Sequence, residues 1–394
     1  MKVGLHTVDL FPGRERLMPF RTVLEVAIVM KAHGWEADVL NSSVAESEAR
    51  DFEWQGIKVL QCPRDFKELS EWVNTQGYDV FFFAATIREG LKNLSGLQMM
   101  HCKKIAYIPS GITPKWNAMW MMCKYGLYAK AWMLEAFTPK GLLGKKLRKV
   151  GFSDLIGLTD YTVRQAGGSL NSHTIYPGKD DFEDIRSDDT MVVRNDLKGK
   201  KFYLFTGGPA ASRGGREILQ AFDELAEKVS DALLVFLVRQ DVGGEYAALF
   251  QTLDKMKYKD KVLILKDKLT RAQLKAYFEE AYAVVLPFLC IPAEVPLTYY
   301  EVLSCGTPVV SFNNGGTTYY LKDGLKLAGR VSISHLTLSL LDLWYKKHEH
   351  DALGVKALGI MSQHPTWEEV GIQWMNIVTH KKRIYDKICN NQWG

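Results

Sequence analysis

The chain has 394 residues, enough for two domains of ordinary size, and its 47% apolar and 24% charged fractions are those of a globular protein. Its net charge of +5 is small for this length, so composition does not indicate nucleic-acid binding, although it fits an anionic ligand or surface. The six cysteines form no CxxC pair, which favours reduced thiols in a cytoplasmic setting over a disulfide or metal framework.

The first half of the chain alternates strand and helix patterns. Residues 2–7 predict a buried strand, a loop at 9–19 carries Gly13, and a helix with an apolar face follows and ends at Gly34. The next strand is predicted at 37–40, which completes a βαβ unit and favours a parallel sheet. Further strands are predicted at residues 57–61, 79–84, 104–108 and 154–158.

The segment from Lys115 to Lys149 is rich in aromatic and basic side chains, and Glu135 is its single acidic residue. Tryptophan and tyrosine favour the headgroup zone of a bilayer, and lysines are attracted to anionic lipid. One interpretation is therefore an element that makes peripheral contact with an anionic membrane. The other is a helix whose aromatic stripe packs on the protein core while its lysines remain in water.

An acidic stretch at residues 180–189 is interpreted as a linker, because its spacing is not specific for a metal. The second half opens with a strand that ends at Gly207 and Gly208, followed by Arg213 and a helix at 216–228. Adjacent glycines let a backbone approach a ligand closely, and a helix N-terminus binds phosphate. Arg213 would add a cation there, although the stretch is neither a Walker loop nor GxGxxG. A solvated arginine at the start of the helix is the alternative interpretation.

Residues 284–316 carry the most specific pattern, which reads as a buried strand, a loop, a short helix, a second strand and a glycine turn. Pro296 suits the first helical position, because its φ is preset and its missing N–H would have no helical partner there. The N–H groups of Leu297, Thr298 and Tyr299 would then point out of the helix end, where partial positive charge favours a phosphate.

Two carboxylates stand near this helix end. Glu301 lies between one and two turns into the helix and can accept hydrogen bonds from a pair of sugar hydroxyls beside the phosphate. Glu294 lies in the preceding loop, which would face a ligand. Phosphate donors beside a carboxylate are what a nucleotide's ribose and diphosphate require.

This stretch resembles the signature of retaining, nucleotide-sugar-dependent glycosyltransferases of the GT-B type, glycosyltransferase family 4. The family pattern is a Glu, seven residues, a second Glu, small and apolar residues, Gly-x-Pro-Val-Val and a Gly-Gly turn. The matching residues are Glu301, Gly306, Pro308, Val309, Val310, Gly315 and Gly316. The resemblance implies an α/β protein with two Rossmann-like domains whose parallel sheets face a central cleft.

The resemblance also implies a domain division. We expect residues 1–180 to form an N-terminal acceptor-binding domain, 181–200 to be a linker, and 201–366 to form a C-terminal donor-binding domain. Residues 367–394 contain a long amphipathic helical pattern, which in the family crosses back to the first domain.

The activity implied by the resemblance is transfer of a hexose from a nucleotide-diphosphate sugar to a glycan or lipid-linked acceptor, with retention of configuration. No metal or other cofactor and no nucleic acid is expected. The catalytic candidates are Arg213, Glu294 and Ser110, which follows the strand at 104–108. The residues expected to bind the donor are Gly13, Gly207, Gly208, Arg213, Glu294, Pro296, Leu297, Thr298, Glu301, Gly315 and Gly316.

Three positions depart from the family pattern. Ala293 stands at the position of the first Glu, with Glu294 one residue late, while Ser110 replaces a histidine and Gly208 an arginine. These departures keep a second interpretation open, namely a non-catalytic GT-B subunit that binds a sugar nucleotide or a partner in a membrane-bound glycosylation complex. An NAD-dependent oxidoreductase is disfavoured, because no GxGxxG is followed by an acidic residue about 20 positions on.

Overall fold

The computed structural model describes residues 1–43, 50–180, 182, 185, 197–238, 246–266, 269–291 and 293–379. The chain divides into two compact units. Unit 1 contains Met1–Pro109, Thr138–Gly178 and the chain from Pro365 onward, and unit 2 contains Ser110–Phe137 and Lys179–His364. Most of the predicted linker at 181–200 lies outside the described residues.

Unit 1 is built on an eight-stranded sheet with the order β3-β4-β2-β1-β5-β6-β7-β8. Its strands are β1 Lys2–Val8, β2 Glu36–Ser42, β3 Phe52–Trp54, β4 Ile57–Gln61, β5 Val80–Ala84, β6 Lys103–Ile108, β7 Asp154–Gly157 and β8 Asn171–Thr174. Among the described strands, β3 and β4 pair antiparallel and the other neighbours pair parallel. The core strands are nearly continuous apolar runs, as expected for a parallel sheet covered on both faces.

Unit 2 is built on a six-stranded, all-parallel sheet with the order β11-β10-β9-β12-β13-β14. Its strands are β9 Phe202–Phe205, β10 Leu233–Leu237, β11 Val262–Leu265, β12 Ala283–Leu286, β13 Val309–Phe312 and β14 Leu325–Ala328. The chain runs outward from β9 to β11 and then returns to place β12 beside β9. The predicted fold class, with two Rossmann-like parallel sheets, is therefore confirmed.

Fourteen α-helices are described. They are α1 Phe20–Ala32, α2 Phe66–Gln76, α3 Lys115–Tyr125, α4 Lys130–Phe137, α5 Leu142–Lys149, α6 Asp160–Ala166, α7 Gly215–Lys228, α8 Ala247–Asp254, α9 Arg271–Glu280, α10 Leu297–Ser304, α11 Gly316–Leu321, α12 Ile333–Tyr345, α13 Lys347–Ser362 and α14 Trp367–Thr379. Side-chain caps fix several starts: Asp65 accepts hydrogen bonds from the first turn of α2, and Thr270 forms a capping box with Gln273 at α9. None of the described helices is both long and apolar enough to cross a bilayer.

Helix α14 belongs to unit 1, which is where the sequence placed the terminal helix. It lies on α1, and its Trp374 is fully buried against Phe82 and Tyr107, with ring centroids 5.0 and 5.3 Å away. Gly371 faces Val29 so closely that a Cβ at this glycine would lie 2.4 Å from the valine side chain. Residues 380–394, the rest of the predicted helix, lie outside the described residues.

The segment Ser110–Phe137 differs from its predicted place in the first domain, because it packs with unit 2. Met121 and Ala129 are fully buried in the apolar core that contains Phe205 and Phe222. The partly buried side chains that pack against the same core are Trp120, Met122, Tyr125 and Trp132. About half of the aromatic side chains of this segment therefore pack on the core of unit 2. Their packing partners lie about 80 residues or more further along the chain, so the local sequence pattern could not predict this packing.

Candidate functional site

The carboxyl ends of β9 and β12 are the point in unit 2 where the strand order reverses, which is where open α/β sheets bind ligands. The loop after β9 contains Gly214 at φ +73°, and a Cβ there would lie 2.1 Å from the carbonyl oxygen of Pro287. The backbone N–H of Leu289 donates to the carbonyl of Ser212 over 2.8 Å. The two loops are thus held together by direct backbone contact, for which Gly214 is required.

Arg213 lies at this junction, immediately before α7. Its guanidinium sits over the ring of Phe288, 4.7 Å from the centroid, and its side chain is partly exposed. Burial raises the pKa of Tyr299 to about 12, while its hydrogen bonds to Ser311 and Asn314 and the positive charge of Arg213 act in the opposite direction. Phe288 also packs edge-to-face on Tyr299, with ring centroids 5.8 Å apart, so it connects Arg213 to α10 across more than 80 residues of chain.

The helix start predicted at Pro296 differs by one residue. Pro296 has ψ 132°, which is extended, so it caps α10 and the helix begins at Leu297. Its carbonyl accepts the N–H of Tyr299 over 3.0 Å. Tyr299 is therefore not an anion donor, and the donors left at this helix end are the N–H groups of Leu297 and Thr298, both in half-buried residues.

Glu301 is half-buried and faces a small recess at the side of α10. The recess is lined by Lys179, Asp180, Phe182, Leu297, Tyr300, Glu301 and Ser304. Glu301 lies about one turn into α10 and the recess it faces is too small to hold a ribose, so this geometry does not show the predicted ribose contact. That role remains a prediction.

Glu294 is fully buried, whereas the sequence placed it in a loop facing a ligand. Its Oε1 accepts a hydrogen bond from Thr317 Oγ1 over 3.1 Å, and the same hydroxyl accepts the N–H of Val295 over 3.0 Å. Val295 has φ +47°, a strained value for a β-branched residue. This geometry makes Glu294 a residue that ties the loop to α11, and its catalytic role remains a prediction.

The turn after β13 is held by its own side chains. Asn313 Oδ1 accepts the N–H of Gly315 over 3.2 Å and the hydroxyl of Thr318 over 3.1 Å. Gly315 adopts φ +101°, and Gly316 begins α11. Because the N–H of Gly315 already has an acceptor within the turn, its predicted role as a phosphate donor is not supported by this geometry.

The fully buried Asn314 connects this turn to α10. Its Nδ2 donates to the hydroxyl of Tyr299 over 2.9 Å, and that hydroxyl also bonds Ser311 Oγ over 2.9 Å. A buried polar network of this kind fixes the start of α10 relative to β13. The sequence did not predict a structural role for Asn314, Ser311 or the side chain of Tyr299, because these side chains meet only in the folded protein.

The remaining predicted site residues are Gly13, Gly207, Gly208 and Ser110. Gly13 is in unit 1, is exposed, and donates its N–H to Glu15 Oε1 over 2.8 Å. Gly207 and Gly208 follow β9 and are half-buried, with Gly208 at φ +79°. Ser110 falls in unit 2, and its buried Oγ has no hydrogen-bond partner among the residues that the structure describes.

Asn117 in α3 is a further residue that sequence reasoning missed. It is 3% exposed, and its Nδ2 donates to the carbonyls of Leu289 and Asn313 over 2.8 and 2.7 Å. Asn117 thereby joins the loops after β12 and β13. No local sequence signal identifies it, because both partners lie more than 170 residues away.

Comparisons with known proteins show what this chain is similar to. Residues 188–335, most of unit 2, match the family described as glycosyl transferases group 1. Spore coat protein SA of Bacillus subtilis (strain 168) is 27% identical over 192 residues, covering 44% of this chain and 48% of that protein. The matched part therefore spans about half the length of that curated relative.

Several solved structures share the fold over nearly the whole chain. Sucrose-phosphate synthase from Thermosynechococcus elongatus has a TM-score of 0.68 at 14% identity, covering 96% of this chain and 98% of that one. WaaG, a glycosyltransferase involved in lipopolysaccharide biosynthesis, has a TM-score of 0.62 at 14% identity, with 96% and 99% covered. The trehalose-6-phosphate protein from E. coli bound with UDP-2-fluoro glucose has a TM-score of 0.66 at 9% identity, with 96% and 99% covered.

The fold is therefore GT-B, and residues 188–335 are similar to the glycosyl transferases of group 1. These findings support the resemblance drawn from residues 284–316 at this coarser level. The finer assignments, to family 4 and to a retaining reaction, remain predictions.

Proposed function

We propose that this protein is a glycosyltransferase that uses a nucleotide-diphosphate sugar and retains the configuration of the transferred hexose. The observation that carries the proposal is the link from Arg213 through Phe288 to α10, the helix that carries Glu301, in the part of unit 2 that matches group 1 glycosyltransferases. A cation and two helix-end N–H groups suit a diphosphate, and a half-buried carboxylate suits a ribose.

The chemistry assigned to these residues is stabilisation of the leaving diphosphate. Arg213 and the N–H groups of Leu297 and Thr298 would hold the charge that develops as the glycosidic bond breaks. A retaining transfer does not require a nucleophile from the protein, so the reaction needs positioning and charge more than a particular catalytic side chain. The proposal routes no step through a metal or other cofactor.

We propose a glycan or a lipid-linked glycan as the acceptor, delivered at an anionic membrane surface. This part rests on the exposed apolar side chains of α3, α4 and their connection, of which Leu127 is 81% and Tyr128 51% exposed. The exposed lysines Lys115 and Lys130 lie in the same two helices. Exposed aromatic and apolar groups beside lysines suit the headgroup zone of an anionic bilayer.

A non-catalytic GT-B subunit that binds a sugar nucleotide or a partner is the second candidate. Two observations favour it: Glu294 is fully buried, and the N–H of Gly315 is bonded to Asn313. Both remove groups that the sequence reading had assigned to the donor. The two candidates differ in whether a bound donor is turned over.

A thermal-shift screen of uridine, guanosine and adenosine diphosphates and their sugar derivatives tests the proposal. Ligand at a hundredfold excess over its Kd stabilises a protein by about 2.7 kcal/mol, which gives a clear rise in Tm. We expect one nucleoside diphosphate to raise Tm and its base or nucleoside alone to do so less. Donor hydrolysis or transfer then supports the enzyme, and binding without turnover supports the subunit. If none of the nucleotides stabilises the protein, the transferase is refuted, and so is a subunit that binds a sugar nucleotide.

A further inference from the structure

Unit 2 contains a cavity of about 490 Å³ whose lining includes none of the residues assigned to the donor. It opens between the start of α3 and the carboxyl ends of β13 and β14, and β14 is the edge strand of the sheet. Its lining residues are Pro114, Trp116, Asn117, Asn313, Ala328, Gly329, Arg330 and Val331. The volume lies within the range of small-molecule sites, roughly 300–1,000 Å³.

The wall of this cavity combines three kinds of group. Trp116 presents a large indole surface that is 57% exposed, and Arg330 is an exposed guanidinium. Asn117 is almost fully buried, and both hydrogen bonds described for it use Nδ2, which leaves Oδ1 as its remaining polar atom. No acidic side chain lines the cavity, and no ion pair of Arg330 is found within the described part of the chain.

Each group has a matching feature in one class of ligand. The apolar C–H face of a pyranose ring packs on an indole, as apolar surface generally does on tryptophan. A guanidinium binds phosphate or carboxylate through two parallel N–H donors. A buried amide oxygen accepts a hydrogen bond from a hydroxyl. The almost fully buried Asn117 also gives the cavity one fixed polar point, because its two bonds to Leu289 and Asn313 hold the side chain in place.

We propose that this cavity binds a sugar ring carrying an anionic group, either a phosphate or a carboxylate. Trp116 supports the ring, Arg330 binds the anion and Asn117 accepts from a ring hydroxyl. The residues assigned to the donor, namely Arg213, Leu297, Thr298 and Glu301, do not line the cavity. That the bound sugar serves as the acceptor rests on the proposed transferase function, whereas the binding itself does not.

Isothermal titration of the full chain without nucleotide tests the proposal. The probes are glucose 6-phosphate, glucuronate, glucose and inorganic phosphate. We expect at least one of the two anionic sugars to bind, with glucose and inorganic phosphate each roughly tenfold weaker or more, because each lacks one of the two contacts. Comparing the two anionic sugars shows whether the site prefers a phosphate or a carboxylate.

Two variants locate the binding. Arg330→Gln should raise the Kd of the anionic sugar by roughly tenfold to a hundredfold and leave the weak binding of glucose unchanged. Trp116→Ala should weaken the binding of all of the sugars and leave the binding of inorganic phosphate unchanged. Arg64→Gln and Tyr345→Ala, which replace an exposed arginine and an exposed tyrosine outside the cavity, are the matched controls and should bind like the wild type. Circular dichroism melting confirms that each variant is folded.

The outcomes separate the two proposals. If neither anionic sugar binds, if inorganic phosphate binds as tightly as glucose 6-phosphate, or if Arg330→Gln binds like the wild type, the sugar site is refuted. Nucleotide binding by the same preparations is measured separately and should be the same in Trp116→Ala and Arg330→Gln as in the wild type. Sugar binding without any nucleotide binding would instead refute the proposed function and leave the sugar site standing.

Discussion

Replacing Lys124 with methionine removes the cation that faces the buried carboxylate of Glu217. Glu217 lies in α7 with its side chain fully buried, and its Oε1 accepts from Lys124 Nζ over 2.7 Å and from the hydroxyl of Tyr125 over 2.8 Å. Both donors come from α3, so this cluster fastens the segment Ser110–Phe137 to the rest of unit 2. The burial that encloses the cluster also raises the pKa of Tyr125.

The size of the effect follows from the burial of the carboxylate. Breaking a buried ion pair by removing one partner costs about 3–5 kcal/mol, because the other charge is left uncompensated. The side chain of Lys124 is 30% exposed, so water reaches its end of the pair. We therefore expect Lys124→Met to lower the free energy of unfolding by about 3 kcal/mol, at the lower end of that range. Tyr125→Phe loses one hydrogen bond to a charged group and should cost about 2 kcal/mol.

Urea unfolding followed by circular dichroism, with limited proteolysis of the region 110–137, measures both effects. The double variant Lys124→Met/Glu217→Gln should be more stable than Lys124→Met, because it no longer buries an unpaired charge. Lys257→Met is the matched control, since its ion pair with Glu227 is exposed on both sides and should contribute little. If Lys124→Met is no more destabilising than Lys257→Met, or if the double variant is the least stable, the reasoning is wrong.

Three further predictions use other parts of the chain. Burial lowers the pKa of His6 to about 3, below its ordinary value of 6.5, so the neutral imidazole stabilises the fold above pH 6.5 and this stability is lost as pH falls. Between pH 6.5 and pH 5 we expect the free energy of unfolding to fall by about 2 kcal/mol, as measured by urea unfolding, and to fall by less in His6→Gln. Gly214→Ala should lower nucleotide affinity, because its Cβ would meet Pro287 and push the two loops apart; unchanged affinity in calorimetry would contradict this. Leu127→Ser/Tyr128→Ser should bind anionic vesicles less than the wild type in sedimentation, and absence of binding by the wild type would end the membrane proposal.

Much of the fold could be predicted from local sequence because it depends on short apolar runs and helix ends. The strand predicted at 57–61 coincides with β4, and those predicted at 79–84 and 104–108 match β5 and β6 to within a residue. Gly34, which the sequence predicted as the end of the first helix, has φ +80°, in the left-handed region where helices commonly end. Each of these features is decided within about ten residues of chain, and so the pattern carries the information.

The site was predictable only in part, because its details depend on contacts between distant residues. Family resemblance located α10 and Glu301, but it could not show that Thr317 would hold Glu294 inside the protein. Likewise, the aromatic and basic composition of residues 115–137 is the same whether the segment faces lipid or packs on the core. The packing of the segment on unit 2 depends on Glu217 and the core of that unit, which lie about 90 residues further along, while Leu127 and Tyr128 remain exposed.

The central claim is that unit 2 binds a nucleoside diphosphate through the start of α10 and the carboxylate of Glu301. Calorimetry of Glu301→Gln with the tightest nucleoside diphosphate tests it most directly, with Glu280→Gln, at the exposed end of α9, as the matched control. We predict that Kd rises roughly tenfold to a hundredfold in Glu301→Gln, as for loss of a hydrogen bond to a charged group, and is unchanged in the control. Equal affinity in Glu301→Gln and the wild type would contradict the account.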